Sequence, residues 1–178
     1  MPNHVDNDLN VSGSADRVRA FIQYARGPGY CVKGGSEEPL SAYRFIPVPE
    51  NFWINRGICA NCGYEPPPSS WSCPQCGGYV KDSYSRGGYE WCIAHWGTKW
   101  GLYDIEVVSD EVGVVDYTFQ TAWSPPLPVI VAMGEQFPDL KFTLCYYEGG
   151  GGFQGALIVE GGQVVKDKNR PYDGDRGG

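Results

Sequence analysis

Two close pairs of cysteines, Cys59/Cys62 and Cys73/Cys76, constrain this chain more than any other feature. Each pair reads C-x2-C, and ten residues separate the two. Zinc takes four soft ligands in a tetrahedron, and a C-x-x-C turn brings two thiolates within reach of one metal. A glycine follows each pair, Gly63 and Gly77, where a tight turn lets backbone N–H groups point at sulfur. Pro74 stiffens the second turn. The spacing predicts one structural zinc ion, Zn2+, held by Cys59, Cys62, Cys73 and Cys76. Iron accepts the same ligands, but all-thiolate tetrahedral sites of this kind most often hold zinc. Two disulfides are the alternative reading, and adjacent C-x-x-C pairs argue against it.

The rest of the composition sets the setting for that lobe. A chain of 178 residues holds one ordinary domain plus a small appendage. Gly and Pro supply 25 and 14 residues, which fits a loop-rich β or α+β protein. No run of about 18 apolar residues exists, so no membrane span or membrane partner is expected. The start, Met1-Pro2-Asn3-His4, has neither a basic nor an apolar leader region. Cys31, Cys92 and Cys145 lie outside the pairs. An odd set of free cysteines beside a thiolate metal site points to a reducing, cytoplasmic setting. Charge is divided unevenly. Residues 1–100 carry nine basic and nine acidic side chains, and residues 101–178 carry five and twelve, which accounts for the net −7. An acidic half disfavours non-specific nucleic-acid binding and suits a basic partner or simple solubility.

Periodicity divides the chain further. Val5, Leu9 and Val11 mark a first strand over residues 4–11. Ser14 is a good N-cap for a helix from Ala15 to Ala25 whose apolar face is Val18, Phe21, Ile22 and Ala25. Gly27-Pro28-Gly29 ends it. Tyr43-Arg44-Phe45-Ile46 reads as a short strand. The metal lobe spans residues 56–82, and its link Pro66-Pro67-Pro68 reads as extended and exposed, with Trp71 following. Residues 86–98 read as a helix carrying Trp91, Cys92, His95 and Trp96. A hairpin follows, with Ile105, Val107 and Ser109 on one face of its first strand. Val115, Tyr117, Phe119, Thr121 and Trp123 line one face of its second. Ser124-Pro125-Pro126 starts a helix with an apolar stripe of Leu127, Ile130, Val131, Gly134 and Phe137. Phe142, Leu144 and Tyr146 mark a third strand, and residues 153–159 a fourth with a short continuation at 163–165. The expected division is 1–55, an N-terminal β-α part; 56–82, the metal insertion; 83–168, the remainder of the α+β domain; and 169–178, a flexible tail. Antiparallel hairpins with helices on one face give an α+β sandwich of ferredoxin-like character.

Several segments carry a resemblance. "MPNHVDNDLNVSG" at the start, "FIPVPE" at 45–50, "WCIAHWGTKW" at 91–100, "FQTAWSPPLPVI" at 119–130 and "YYEGGGGFQG" at 146–155 resemble the YubB-like family of phage and plasmid proteins. The resemblance implies a ferredoxin-like C-terminal part and origin on a mobile genetic element. The two cysteine knuckles resemble zinc ribbons and rubredoxins and read as an insertion in that scaffold. Neither resemblance brings an established activity.

The remaining chemistry is sparse. His95 and His4 are the only histidines, and no paired nucleophile or carboxylate motif adjoins His95. Cys92 reads as a buried thiol rather than a nucleophile. Lys99 in "WGTKW" reads as a stacking or an exposed turn residue. Asp104, Glu106, Asp116 and Glu148 read as a solvated sheet face. Gly149–Gly152 lacks the Lys-Ser/Thr of a phosphate loop. The expectation is therefore a non-enzymatic binding protein acting on a host or element-encoded protein, in the manner of an anti-CRISPR antagonist of host defence. Its contact surface is expected at the lobe tip: Tyr64, Pro66, Pro67, Pro68 and Trp71. Tyr and Trp are common interface anchors, and a polyproline link loses little entropy on docking. Trp71 packed back onto the knuckles is the opposing reading. Nucleic-acid binding through the ribbon and the sheet aromatics is the functional alternative.

Overall fold

A computed structural model describes residues 3–29, 37–49, 58–66, 72–81 and 88–174. Strand β1, His4–Ser12, turns Val5, Asn7, Leu9 and Val11 inward and their alternates outward. Ser14 is extended, and helix α1, Ala15–Ala25, follows with Val18, Phe21 and Ala25 buried. A two-residue ribbon joins β2, Gly27–Pro28, to β3, Glu37–Glu38. Helix α2 is Ala42–Phe45, then β4, Ile58–Cys59, and β5, Val80–Lys81, belong to the cysteine lobe. Helix α3, Gly88–Trp96, leads to β6, Tyr103–Glu111, and β7, Val114–Ala122. Helix α4, Leu127–Gln136, precedes β8, Lys141–Glu148, β9, Phe153–Glu160, and β10, Gln163–Pro171.

Six strands form one antiparallel sheet in the order β10-β9-β8-β1-β7-β6. Taking β1, β6, β7 and β8 with α1 and α4 gives βαββαβ, and their spatial order is fourth, first, third, second. That is the ferredoxin-like arrangement, widened by β9 and β10 beyond β8. Everything from β2 to α3 is an elaborated connection between α1 and β6.

The helices cover one face of the sheet, because only that face is apolar. Phe21 of α1 sits at the centre of an aromatic group. Its ring lies 5.4 Å from Phe137 and Phe142, 5.8 Å from Phe45 and 6.4 Å from Tyr117. Edge-on aromatic pairs of this kind contribute about 0.5–1.5 kcal/mol each beyond area burial. Gly134 lets α4 approach β9, since a Cβ there would lie 2.2 Å from a Val159 methyl. The other face carries lateral rows of smaller and charged residues. One row, read across all six strands, is Lys168, Ala156, Cys145, Asp8, Thr118 and Glu106.

Several expectations are corrected. Residues 43–46 do not form a strand: Ala42–Phe45 is one helical turn, closed by Ile46 N–H donating to the Ala42 carbonyl over 3.0 Å. Phe45 and Ala42 are buried against α1, so tertiary packing overrides an alternating tetrapeptide. The helix expected over 86–98 spans Gly88–Trp96, and residues 86 and 87 lie outside the described residues. In α4 the fully buried stripe is Val129, Ile130, Met133 and Gly134, with Leu127 and Val131 half-buried beside it. A register shift in β6 between Val107 and Ser109 moves Ser109 opposite Asp116, onto the polar face, away from Val107. Trp123 leaves the inward row of β7: it is 46% exposed, with φ 77°. The short continuation at 163–165 is a nine-residue strand reaching Pro171. The tail expected from residue 169 therefore starts inside β10, and Tyr172 N–H still donates to the Gly152 carbonyl.

Candidate metal centre

The lobe consists of two equivalent turns. In the first, Gly63 N–H donates to the Cys59 carbonyl over 3.0 Å and Cys59 N–H to Tyr64 over 2.9 Å. In the second, Gly77 N–H donates to Cys73 over 2.8 Å and Cys73 N–H to Gly78 over 2.9 Å. Gly63 and Gly77 take φ 73° and 69°, the left-handed backbone that glycine adopts at least cost. Pairing of Ile58 with Lys81 and of Cys59 with Val80 joins the turns, and Ala60 N–H donates to the Tyr79 carbonyl.

These turns bring the four sulfurs within 4.8 Å of one another. Cys59 Sγ lies 3.4 Å from Cys76 Sγ, and Cys62 Sγ lies 3.6 Å from Cys73 Sγ and 3.5 Å from Cys76 Sγ. A disulfide needs about 2.05 Å, so the cysteines are free thiols. Four sulfurs about 2.3 Å from one tetrahedral metal would stand about 3.8 Å apart, which matches this spacing. The four cysteines are therefore placed to hold one metal ion. Backbone N–H groups surround the sulfurs. Asn61 and Cys62 face Cys59, Tyr64 faces Cys62, Gln75 faces Cys73 at 3.4 Å, and Gly78 faces Cys76.

Electrostatics fit the same conclusion. The Cys62 N–H, ahead of the other donors, draws the Cys59 thiol down to about 6. The Gly78 N–H pulls the same way on Cys76, but the neighbouring Cys59 and Cys62 sulfurs outweigh it and hold Cys76 up to about 12. Cys62 is also raised, despite the Tyr64 N–H. The Cys59 thiolate forms readily, whereas the crowded sulfurs hold protons on Cys62 and Cys76, which is the condition a bound dication relieves.

Of the expected contact residues, Tyr64 is exposed, at 36%. Pro66 is buried, contrary to an extended, solvent-facing link. Pro67, Pro68 and Trp71 lie outside the described residues. Tyr79, which composition alone did not single out, is 58% exposed on the same lobe. Among the described residues, the lobe's own apolar cluster is Cys59, Cys73 and Val80, separate from the main core.

Other flagged groups are spoken for. Cys92 is buried in the main core, whereas His95 is exposed, stacked on Trp91 at 4.4 Å, with Nδ1 2.9 Å from the Trp91 carbonyl. Glu148 occupies the glycine loop itself, accepting from Gly150 N–H at 2.9 Å and from Gly151 N–H. Asp104 and Glu106 line a shallow groove of about 340 Å³ on the polar sheet face, with Asp6 and Asp8. Lys99 is ringed by aromatics, its Nζ 4.5 Å from Trp123, 4.8 Å from Trp100 and 4.9 Å from Tyr89. Next to this corner, His4 Nδ1 lies 2.6 Å from the Tyr103 hydroxyl. Burial, then Asp104 and Asp6, push the Tyr103 phenol up to about 12. The "WGTKW" segment announced aromatics around Lys99, but Trp123 joins them only through the fold. A hydrogen-bond chain holds that corner. Asn7 Nδ2 donates to Thr121 Oγ1 over 3.0 Å, Thr121 Oγ1 to the Ser124 carbonyl over 2.9 Å, and Ser124 Oγ to the Gly97 carbonyl.

No curated protein sequence matches this chain. The crystal structure of protein api92 from Yersinia pseudotuberculosis is similar over 98% of this chain and 99% of that one, with TM-score 0.58 and 11% identity. That identity speaks to fold alone. Residues 102–176 are similar to the family model described as the ferredoxin-like domain in Api92-like protein, which agrees with the ferredoxin-like sheet to which they contribute β6 to β10 and α4.

Proposed function

We propose that this chain is a non-enzymatic binding protein in which Cys59, Cys62, Cys73 and Cys76 hold one structural zinc ion. The lobe they staple is a contact surface for a protein partner. Tyr64 and Tyr79 carry this reading: two exposed tyrosines project from a lobe whose described residues form almost no apolar core of their own. Tyrosine is enriched at interface hot spots, and a metal-stapled lobe presents it with little entropy left to lose. All-thiolate ligation with backbone N–H donors to sulfur favours zinc. The resemblance to YubB-like proteins supports origin on a phage or plasmid and action in the bacterial cytoplasm. Antagonism of a host defence protein is the role we assign on that basis. A second reading, nucleic-acid binding, is favoured by one observation: Lys99 among Tyr89, Trp100 and Trp123 offers rings to stack on bases beside a cation.

Affinity capture from a bacterial lysate, with and without nuclease, separates the two. The bait should contain about one equivalent of zinc. A partner protein should survive nuclease and be lost with the zinc-loaded Tyr64→Ala/Tyr79→Ala double variant. Undiminished capture by that variant would remove the lobe from the interface, and a nuclease-sensitive partner would favour the second reading.

A further inference from the structure

The sheet face opposite the helices is electrically divided, and strand register sets the division. Lys166, Lys168 and Arg170 project from β10 at one side, in the rows of Ile158, Ala156 and Gln154. Those rows continue through β8 to Asn10, Asp8 and Asp6 of β1. Arg170 is already bonded to Asp173. Among the described residues, Lys166, Lys168 and Asp8 have no ion pair within the chain. Between the cationic strand and the acidic one lie Ala156, Ile158 and Cys145, buried or half-buried. A shallow groove of about 300 Å³ runs beside Cys145, walled by Asp8, Thr143 and Val108. A small-residue, partly apolar centre between opposite charges is the anatomy of an interface.

We propose that this face binds a second copy of the chain. A two-fold axis parallel to the strands, between β8 and β9, reverses the order of strands and keeps each row at its own height. It lays β10 of one copy over β1 of the other. Lys168 then faces Asp8 and Lys166 faces Asn10 beside Asp116, each pair occurring twice. Ala156 meets Cys145 at the centre. Lys168 reaches Asp8 only in a partner, because about 14 Å of sheet, three strand spacings, separates β10 from β1 within one chain, whereas Arg170 keeps its own Asp173. The four overlapping strands present about 500 Å² per copy, about 1,000 Å² in all, near the lower bound for a specific interface. The dimer is therefore a reversible one.

Sedimentation equilibrium of the zinc-loaded full chain at physiological ionic strength tests this. The apparent mass should rise with concentration from 19.6 kDa toward twice that value. Lys168→Glu and Asp8→Lys should each raise the dissociation constant by about tenfold or more, since each places two like-charge pairs in the interface. Combining them in one chain should restore wild-type association, which no loss of folding can mimic. A chain that stays monomeric at every concentration would overturn the proposal. So would self-association indifferent to Lys168→Glu, or a double variant as weak as the single ones.

Discussion

Tyr117 sets a polar atom where the fold has no use for one. Its side chain is 1% exposed beneath α1, and its hydroxyl has no hydrogen-bond partner among the described residues. Burial, then Asp110, push this phenol up to about 12, with Arg26 opposing. The unfolded phenol ionises near ~10, so the sign follows directly. Below pH ~10 both states are protonated and the shift changes nothing. Above it the unfolded state sheds its proton first, and stability falls by about 1.4 kcal/mol per pH unit until about 12. Tyr117→Phe should raise unfolding stability at neutral pH by about 1 kcal/mol, because an orphaned buried hydroxyl costs about that much. It should also flatten the alkaline limb, leaving the share due to Tyr103 and Tyr146, both raised by burial. Denaturant midpoints at pH 7 and pH 11 check both, and a destabilised variant at pH 7 would contradict the orphaned hydroxyl. Trp123, like Asp104, is held in left-handed backbone against its preference. Its left-handed backbone is fixed by Trp123 N–H donating to Asn3 and by the Thr121–Ser124 corner, and the strain delivers an exposed indole over Lys99.

Among the elements, the cysteine lobe is the one whose order depends least on the main core. Its strands are two residues long, and among the described residues its buried cluster holds one side chain, Val80, besides two cysteines. Apolar burial cannot hold such a unit, whereas zinc on four thiolates contributes on the order of 10 kcal/mol of local folding free energy. A Cys73→Ser variant should lose the metal and lose amide protection across residues 58–81, while β1 and β6 to β10 keep theirs. Hydrogen exchange mapped by peptide checks this, and uniform loss along the chain would show the lobe to be part of the core. Helix α2 illustrates the opposite dependence. It has one turn and no side-chain cap, and it persists because Phe45 inserts between Phe21, Tyr24 and Phe137.

At the scale of the molecule, β1 is the seam. It pairs with β7 along nine residues and with β8 along seven, so the centre of the sheet comes from the first residues of the chain. The ferredoxin-like match begins at residue 102 and does not include it. Residues 102–178 expressed alone should therefore fail to fold, exposing the facing edges of β7 and β8. Adding residues 1–29 as a separate chain, which supplies β1 and α1, should restore amide dispersion in NMR spectra. A well-dispersed spectrum from 102–178 alone would contradict that dependence.

Local patterns were legible where the chain itself carries the cause. Helix α1 has the bounds its apolar spacing predicts, and the inward row Val115, Tyr117, Phe119 and Thr121 follows from alternation. The four ligands follow from two C-x-x-C turns, because each turn is closed by hydrogen bonds within six residues. What alternation cannot report is the partner of a strand. The bulges of β6, the exposed turn of Trp123 and the full length of β10 depend on backbone groups tens of residues away, on β7, Asn3 and β9. The same holds for the divided charge of the open face. Lys168 and Asp8 stand 160 positions apart in sequence and share a row only because β10, β9, β8 and β1 are hydrogen-bonded in that order. Composition and spacing determined that this chain has a four-cysteine lobe and an aromatic core. The sheet's order decided which surfaces those leave to meet a partner, since long-range backbone pairing, not local propensity, assigns neighbours across a sheet.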